Sequence, residues 1–531
     1  MQQAFQCSWL RRRSEQKDVA STRQAIHKTK KYKMRITIGQ INPVPADYMG
    51  NANQIIEVVR SAESSLVVLP RFAVTGYGLG DVAGSYNMVR GVQQAQEHIV
   101  SSTPDGVTVL YGSMNSDGNE VVTVVSDGRV RHIAGNGRSN LVRVDADTWA
   151  QVVIEGSDFS ADDVTENNLI VLAADPYTPE ALTNRLKRVD DIMWMTWARN
   201  AFYVNPVGGQ DDLVFDGMSL VVDRNGKVVH HLPRFTEHSE TIDTDSFVAG
   251  SCLHIKEDRF ADTYAAIVLG IRDYARKNGM SKAVLGASGG IDSALVLTMA
   301  ADALGGENVI GVSMPSAYSS QHSQDDAEEL MSNLGGEFRK VPISPMFYVF
   351  QDALSLEGVA EENLQARIRG VIVMGVSNTE NALVLEPGNA SETAVGYSTI
   401  YGDTVGGYAP ICDVYKTDVY ELARYRNTWE DSPIPVSSIT KPPSAELKPD
   451  QVDSETLPDY PVLDALLKDM FEGGLENDLE SLYEIHDKEI VDQVLRKVRI
   501  AEWKRRQTAL GPKVSSYSFP SNRNVPITMK K

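Results

Sequence analysis

A chain of 531 residues has room for two to four domains at roughly 100–200 residues each. Its 42% hydrophobic and 23% charged residues describe an ordinary globular protein, and a net charge of −20 argues against a nucleic-acid partner. No apolar run approaches the ~20 residues of a membrane span, and three scattered cysteines (Cys7, Cys252, Cys412) indicate neither a disulfide framework nor a zinc site. A cytoplasmic protein without a membrane partner is expected.

Residues 1–33 carry Arg11-Arg12-Arg13 and Lys30-Lys31 among polar residues with little hydrophobic period, and read as a disordered extension or an upstream start. From Met34 a strand alternates into Pro43, followed by a helix around 51–62 and an apolar strand over 66–70. Strand-like runs recur at 107–112, 121–125, 150–154, 169–173, 201–207 and 219–222, and helical patterns lie near 89–99 and 179–197. Turn signals sit at Ser126-Asp127-Gly128 and Arg224-Asn225-Gly226. Strands and helices in this order predict a layered α/β domain over 34–245.

The phrases IGQINP, VVLPRFAVTGY, ARNAFYVNPVGG and DGMSLVVDRNGKVV resemble the nitrilase family. That resemblance implies an α-β-β-α sandwich and amide hydrolysis by a Glu base, a Lys and a Cys nucleophile. This chain departs from the pattern where the chemistry belongs. Arg71 stands at the base position, Ile154-Glu155-Gly156-Ser157 at the nucleophile phrase, and 135–138 is a shortened loop where the lysine should arrive. There is no lysine between Met34 and Leu186, and after Met34 no cysteine occurs before Cys252. Ser157 or Asp158 could substitute as nucleophile, but the sequence sets no base beside them. A degenerate glutaminase half, retained as scaffold, is the expectation.

Residues 246–260 read as a linker, with Cys252 an inert thiol, and a helical pattern starts at about Asp262. The apolar run Ala283-Val284-Leu285 then stops at Gly286-Ala287-Ser288-Gly289-Gly290, and Ile291-Asp292-Ser293 opens a helix. A strand ending in a glycine-rich turn before a helix leaves free backbone N–H groups at the positive end of the helix dipole, a site for phosphate or pyrophosphate. Ser288 and Ser293 can donate hydroxyls, and Asp292 can hold magnesium. No Gly-Lys-Ser/Thr follows, so this is not a Walker loop. Instead SGGIDS resembles the pyrophosphate loop of the ATP pyrophosphatases. A strand over 308–314, a helix carrying Asp325-Asp326 and a strand over 338–343 predict a parallel sheet with ligands at its carboxyl ends. The proline-rich 433–461 reads as a loop closing over substrate, and 488–507 as one basic helix.

Within 261–531, GVSMPSAYSSQHSQDDA, ENLQARIRG, GNASETAVGYSTIYGDTVGGYAPICDVYKTDVYELA, PSAELKPDQVD and KRRQTALGPK resemble the NAD synthetase family. The resemblance implies adenylation of the carboxylate of deamido-NAD (nicotinate adenine dinucleotide) by ATP, after which ammonia displaces AMP. It assigns ATP to Ser288, Gly289, Gly290, Ile291, Asp292, Ser293, Lys416 and Ser444, and magnesium to Asp292 and Glu392. Lys416 would be a mobile cation for the triphosphate. Arg367, Asn389, Asp403 and Lys504 would hold the dinucleotide, with Asp403 also serving catalysis beside Asp292 and Lys416. Glu386-Pro387 departs from the usual Gly-Thr or Thr-Thr before Gly-Asn, and adds a negative charge near the expected nucleotide. A homodimer or larger homo-oligomer is implied, with free ammonia or a separate glutaminase supplying nitrogen. A catalytically decayed regulatory homologue is the alternative.

Overall fold

The computed structural model describes residues 34–134, 140–143, 149–156, 168–196, 198–247, 252–444, 446–448, 451 and 453–528. The expectations for residues 1–33, the loop 135–138 and Ser157-Asp158 lie outside these. In chain order the first half runs β1 (Arg35–Gln40), α1 (Tyr48–Ser61), β2 (Leu66–Val68), α2 (Tyr86–Ser102), β3 (Thr108–Met114), β4 (Glu120–Ser126), β5 (Arg129–Ala134), β6 (Asn140–Arg143), β7 (Trp149–Ile154), β8 (Asn168–Leu172), α3 (Ala181–Thr196), β9 (Asn200–Val204), β10 (Val207–Gln210), β11 (Leu213–Asp216), β12 (Leu220–Asp223), β13 (Val228–His231) and β14 (His238–Asp243).

These strands form sheets ordered β14-β1-β2-β3-β4-β5 and β13-β12-β9-β8-β7-β6. Side chains alternate across each strand, so each sheet buries two faces. Ile36, Ile38 and Leu110 meet Val152, Ile154, Ile170 and Phe202 between the sheets. Val67, Leu69 and Tyr111 instead pack on Ile55, Val59 and Met88 of α1 and α2, while Val171 and Tyr203 pack on Val189 and Met193 of α3. The result is a four-layer α-β-β-α sandwich. The run expected as one strand over 201–207 is two, because Pro206 has no N–H to give a ladder. β14 pairs antiparallel with β1 from about two hundred residues away, a partnership invisible to local periodicity.

The second half runs α4 (Arg259–Lys277), β15 (Lys282–Gly286), α5 (Ile291–Leu304), β16 (Val309–Ser313), α6 (Gln321–Leu334), β17 (Glu337–Lys340), α7 (Ser344–Leu354), α8 (Val359–Glu380), β18 (Ala382–Val384), α9 (Ala390–Val395), α10 (Lys416–Arg426), α11 (Val436–Thr440), α12 (Tyr460–Phe471), α13 (Leu479–Ile485), α14 (Lys488–Ile500), α15 (Glu502–Arg505) and α16 (Phe519–Asn522). Its sheet, β17-β16-β15-β18, is parallel throughout. Two expectations change. The stretch expected as a loop contains α11, and the basic helix breaks at Ala501, which packs against Gly396 so tightly that a Cβ on Gly396 would lie 2.6 Å from that of Ala501.

The halves share a core: Tyr177, Val207 and Val214 pack with Ile267 and Ile271 of α4. Polar groups fix the register of this junction. Buried Asp273 accepts hydrogen bonds from Asn42 Nδ2 at 2.6 Å and Gly209 N at 2.7 Å. Lys277 Nζ donates to the carbonyls of Gly209 and Pro43, and burial pushes its pKa down to about 8 against the pull of Asp273. Among the described residues no helix is long and apolar enough to cross a membrane.

Candidate functional site

The loop between β15 and α5 sits at the carboxyl edge of the parallel sheet. Gly289 has φ +77°, and a Cβ there would lie 2.1 Å from the Ser323 carbonyl oxygen, so only glycine fits. Gly290 caps α5 without a side-chain bond, leaving the helix N–H groups open to an anion. Ser288 Oγ lies 2.8 Å from Ser293 Oγ and accepts from Gly290 N at 3.1 Å. Buried Ser438 of α11 donates to the Gly289 carbonyl at 3.0 Å, bracing the loop from a segment the sequence presented as irregular.

Four of the expected residues converge beside this loop. Asn389 Nδ2 donates to Asp292 Oδ1 at 2.9 Å, and Asn389 with Glu392 forms a capping box on α9. Lys416, at the first turn of α10, puts Nζ 2.5 Å from Asp292 Oδ2 and 3.4 Å from Glu392 Oε1. Its side chain is 2% exposed and lies over the Tyr460 ring at 5.1 Å. The lysine expected as a mobile cation is a buried bridge between two carboxylates. Burial works against the charge on Lys416, but Asp292 and Glu392 outweigh it and raise its pKa. Burial pushes the Glu392 carboxyl up to about 7, with Lys416 opposing and Asp292 and Asp453 adding.

The remaining expected residues stand apart from this cluster. Arg367 is exposed, with Nε donating to the Ile400 carbonyl at 3.3 Å. Asp403 accepts from Thr399 N at 2.6 Å; it stays open to solvent although surrounding chain crowds it, so water limits the upward push on its carboxyl. Lys504 donates to the Gly396 and Ser398 carbonyls. Ser444 is exposed and accepts from Glu446 N. Glu446 itself accepts from Ser320 and Ser323 hydroxyls at the start of α6, and Lys441 pairs with Asp326 at 3.0 Å. Lys441, Ser438 and Tyr460 carried no signal in the sequence beyond their place in a polar stretch, whereas Glu446 lies within the phrase PSAELKPDQVD without a role assigned to it. Glu386 is buried and accepts from Ala509 N at 3.4 Å.

In the first half, Arg71 and Glu155, the residues expected at the base position and in the nucleophile phrase, are held by opposite charges. Arg71 pairs with Glu120, Nη2 to Oε2 at 2.7 Å, and donates to the Glu155 carbonyl at 3.2 Å. The Glu155 carboxylate accepts from Tyr203 OH at 2.7 Å and pairs with Arg188 at 2.7 Å. Burial, then the neighbouring Asp175 carboxylate, raises the Glu155 pKa. Arg188 and fully buried Arg185 both reach Asp175, and Arg185 continues to Asp216. Cys252 is exposed and Cys412 buried.

Comparison with known proteins matches residues 263–508 to the NAD synthase family. The glutamine-dependent NAD(+) synthetase of Thermotoga maritima is 36% identical across 93% of this chain and 98% of its own length. That of Acinetobacter baylyi is 35% identical with the same coverage. Among solved structures, the glutamine-dependent NAD+ synthetase of Acinetobacter baumannii, in complex with ADP, superimposes with a TM-score of 0.70 at 31% identity over 93% of this chain and 98% of that one. The enzyme from Cytophaga hutchinsonii, 19% identical, shares the fold with a TM-score of 0.77 over 93% and 97%.

Proposed function

This chain belongs to the glutamine-dependent NAD(+) synthetase family, and from that premise we propose that it amidates deamido-NAD at the expense of ATP, using free ammonia. The observation that carries the synthetase reading is the meeting of Asp292, Asn389, Glu392 and Lys416 beside an open, glycine-rich helix N-terminus. Helix N–H groups and the serine hydroxyls suit the β- and γ-phosphates, and the ADP bound by the Acinetobacter baumannii relative supports a nucleotide here. Two carboxylates already converge on one positive charge, which is the oxygen-rich setting a magnesium ion requires. Asp292 and Glu392 would hold that ion, which when bound neutralises phosphate charge.

In this reading Lys416 leaves its carboxylate bridge to follow charge onto the leaving pyrophosphate. Arg367 and Lys504 face the dinucleotide, Asp403 lies beside its reacting end, and Ser444 reaches the phosphates. Residues 261–531 form the synthetase half and 34–245 a scaffold whose amidase site has been lost. Arg71 supports this loss: a guanidinium paired with Glu120 cannot accept a proton from a nucleophile. Saturating ATP, deamido-NAD and ammonium should yield NAD and pyrophosphate in equal amounts. Absence of both products would leave the decayed homologue as the better reading.

The same reading carries an oligomer. Helices α7 and α8 leave Tyr348, Val349, Phe350, Leu354, Val359 and Val371 between 48% and 73% exposed, a concentration of apolar surface suited to a second copy. Light scattering on an active preparation at micromolar concentration should give at least twice the 58.3 kDa chain mass. An active monomer would contradict it.

A further inference from the structure

Lys416 opens α10, yet α10 has no cap of its own: Tyr415 at its N-cap makes no side-chain bond to the first N–H groups. The caps come from two other helices. Lys416 N donates to Ser391 Oγ of α9 at 2.9 Å, and Thr417 N donates to Asp464 Oδ2 of α12 at 2.8 Å. The Ser391 hydroxyl in turn donates to Asp464 Oδ1. Both oxygens of one carboxylate therefore lead to the start of α10, one directly and one through Ser391.

Asp464 is 2% exposed and Ser391 is fully buried. Around Asp464 on α12, Leu463, Leu466 and Leu467 are buried in one apolar cluster with Ala390, Ala394 and Tyr415. An apolar side chain would serve that packing equally well, and a buried acid is costly unless it is hydrogen-bonded. What the carboxylate adds is a fixed place for the N-terminus of α10, where the helix dipole also favours a negative group. Four residues earlier in α12, on the same face, the Tyr460 ring lies 5.1 Å from Lys416 Nζ, and its hydroxyl donates to Asp453 at 3.0 Å. Helix α12 thus holds Lys416 at both ends, the backbone through Asp464 and the ammonium through Tyr460.

We propose that Asp464 is a positioning residue of the adenylation step: with Ser391 it fixes the backbone of Lys416 as the pivot from which the ammonium reaches the leaving pyrophosphate. The inference rests on the reading of Lys416 as the group that follows that charge. In that reading Nζ exchanges its carboxylate bridge for phosphate at the end of a long, flexible arm. Such an arm meets the developing charge only if its root is fixed, and a displacement on the order of 1 Å can cost about 100-fold in rate. Ser391 directly precedes Glu392, so its bond to Lys416 N also keeps the lysine in register with that carboxylate. Among the described residues the hydrogen bonds of Asp464 go to Ser391 and Thr417, and it acts through them.

The test reads pyrophosphate release per folded molecule, with the folded fraction taken from chemical denaturation. In Asp464→Ala, kcat should fall on the order of 100-fold while KM for ATP moves less than about twofold, since the glycine-rich loop keeps its own contacts. Asp464→Asn, whose carbonyl can accept from Thr417 N and whose amide can donate to Ser391 Oγ, should recover most of the rate. Placed in Lys416→Met, Asp464→Ala should change the residual rate by less than about twofold, because the group it positions is gone. Where Asp464→Ala does not fold, Ser391→Ala takes its place. That variant cuts the bond to Lys416 N, keeps Asp464 on Thr417, and should lower kcat about tenfold. An unchanged kcat in Asp464→Ala or in its Ser391 substitute, a parallel rise in KM, no recovery in Asp464→Asn, or equal losses with and without Lys416 would mark a purely structural acid and overturn the proposal alone. Turnover at the wild-type rate in Lys416→Met would overturn the reading of Lys416, and the proposal with it.

Discussion

Replacing Asp292 with Asn is expected to lower pyrophosphate release on the order of 10³-fold, about 4 kcal/mol of transition-state stabilisation. The substitution keeps volume and the Asn389 contact but removes one of the two charges proposed to hold magnesium. It also takes the nearer partner from Lys416, whose side chain is 2% exposed, leaving Glu392 at 3.4 Å. Losing a partner destabilises a buried cation, but losing Asp292 also relieves its repulsion of Glu392. With Asp292 itself 20% exposed, the net cost to folding should be modest, about 1–2 kcal/mol. Lys416→Met should cost more, because two carboxylates then face each other unscreened. A double variant should be more stable than the sum of the singles, with coupling of about 1–3 kcal/mol, and still inactive. Chemical denaturation and a pyrophosphate assay separate these effects. Turnover at wild-type rate in Asp292→Asn would remove this carboxylate from the mechanism.

The pyrophosphate loop is legible in sequence because its constraints are local. An apolar strand, two adjacent glycines and a helix start occupy neighbouring residues, and the positive φ of Gly289 needs no distant partner to be anticipated. The cluster around it is a different matter. Asp292, Asn389 and Lys416 span more than a hundred residues and meet because β15 and β18 are neighbours in one parallel sheet. Motif phrases named these residues, but no spacing shows that Lys416 is buried against Asp292 and Glu392. The brace supplied by Ser438 was hidden for a related reason. Val436–Thr440 is a five-residue helix directly after a proline-rich stretch, too short to print a hydrophobic period. In the first half the alternating strands and helices predict a layered α/β domain and the nitrilase resemblance implies the sandwich, whereas the Arg71–Glu120 pair spans 49 residues that local pattern cannot join.

That pair bears on the nitrogen source, where this chain and its glutamine-dependent relatives are expected to differ. Attack on a glutamine amide needs a nucleophile and a base within hydrogen-bond reach of it. Between Met34 and Leu186 there is neither cysteine nor lysine. Where the base belongs, Arg71 holds Glu120 and the Glu155 carbonyl, and a guanidinium does not take up a proton. Where the nucleophile phrase belongs, the Glu155 carboxylate is bound by Tyr203 and Arg188. Freeing it would break contacts in a network that runs through Asp175 to Arg185 and Asp216. Restoring single residues should therefore not restore hydrolysis: Arg71→Glu would set a second carboxylate against Glu120 and destabilise the fold rather than supply a working base. The direct measurement offers purified protein amide-labelled glutamine, ATP and deamido-NAD without ammonium. Labelled NAD should stay at least 100-fold below the rate with ammonium, about 2.7 kcal/mol in the barrier. Adding a separate active glutaminase should restore label through ammonia released to solution. Label entering NAD at a rate comparable to the ammonium reaction, with no added glutaminase, would show that the first half hydrolyses glutamine by residues other than the usual three.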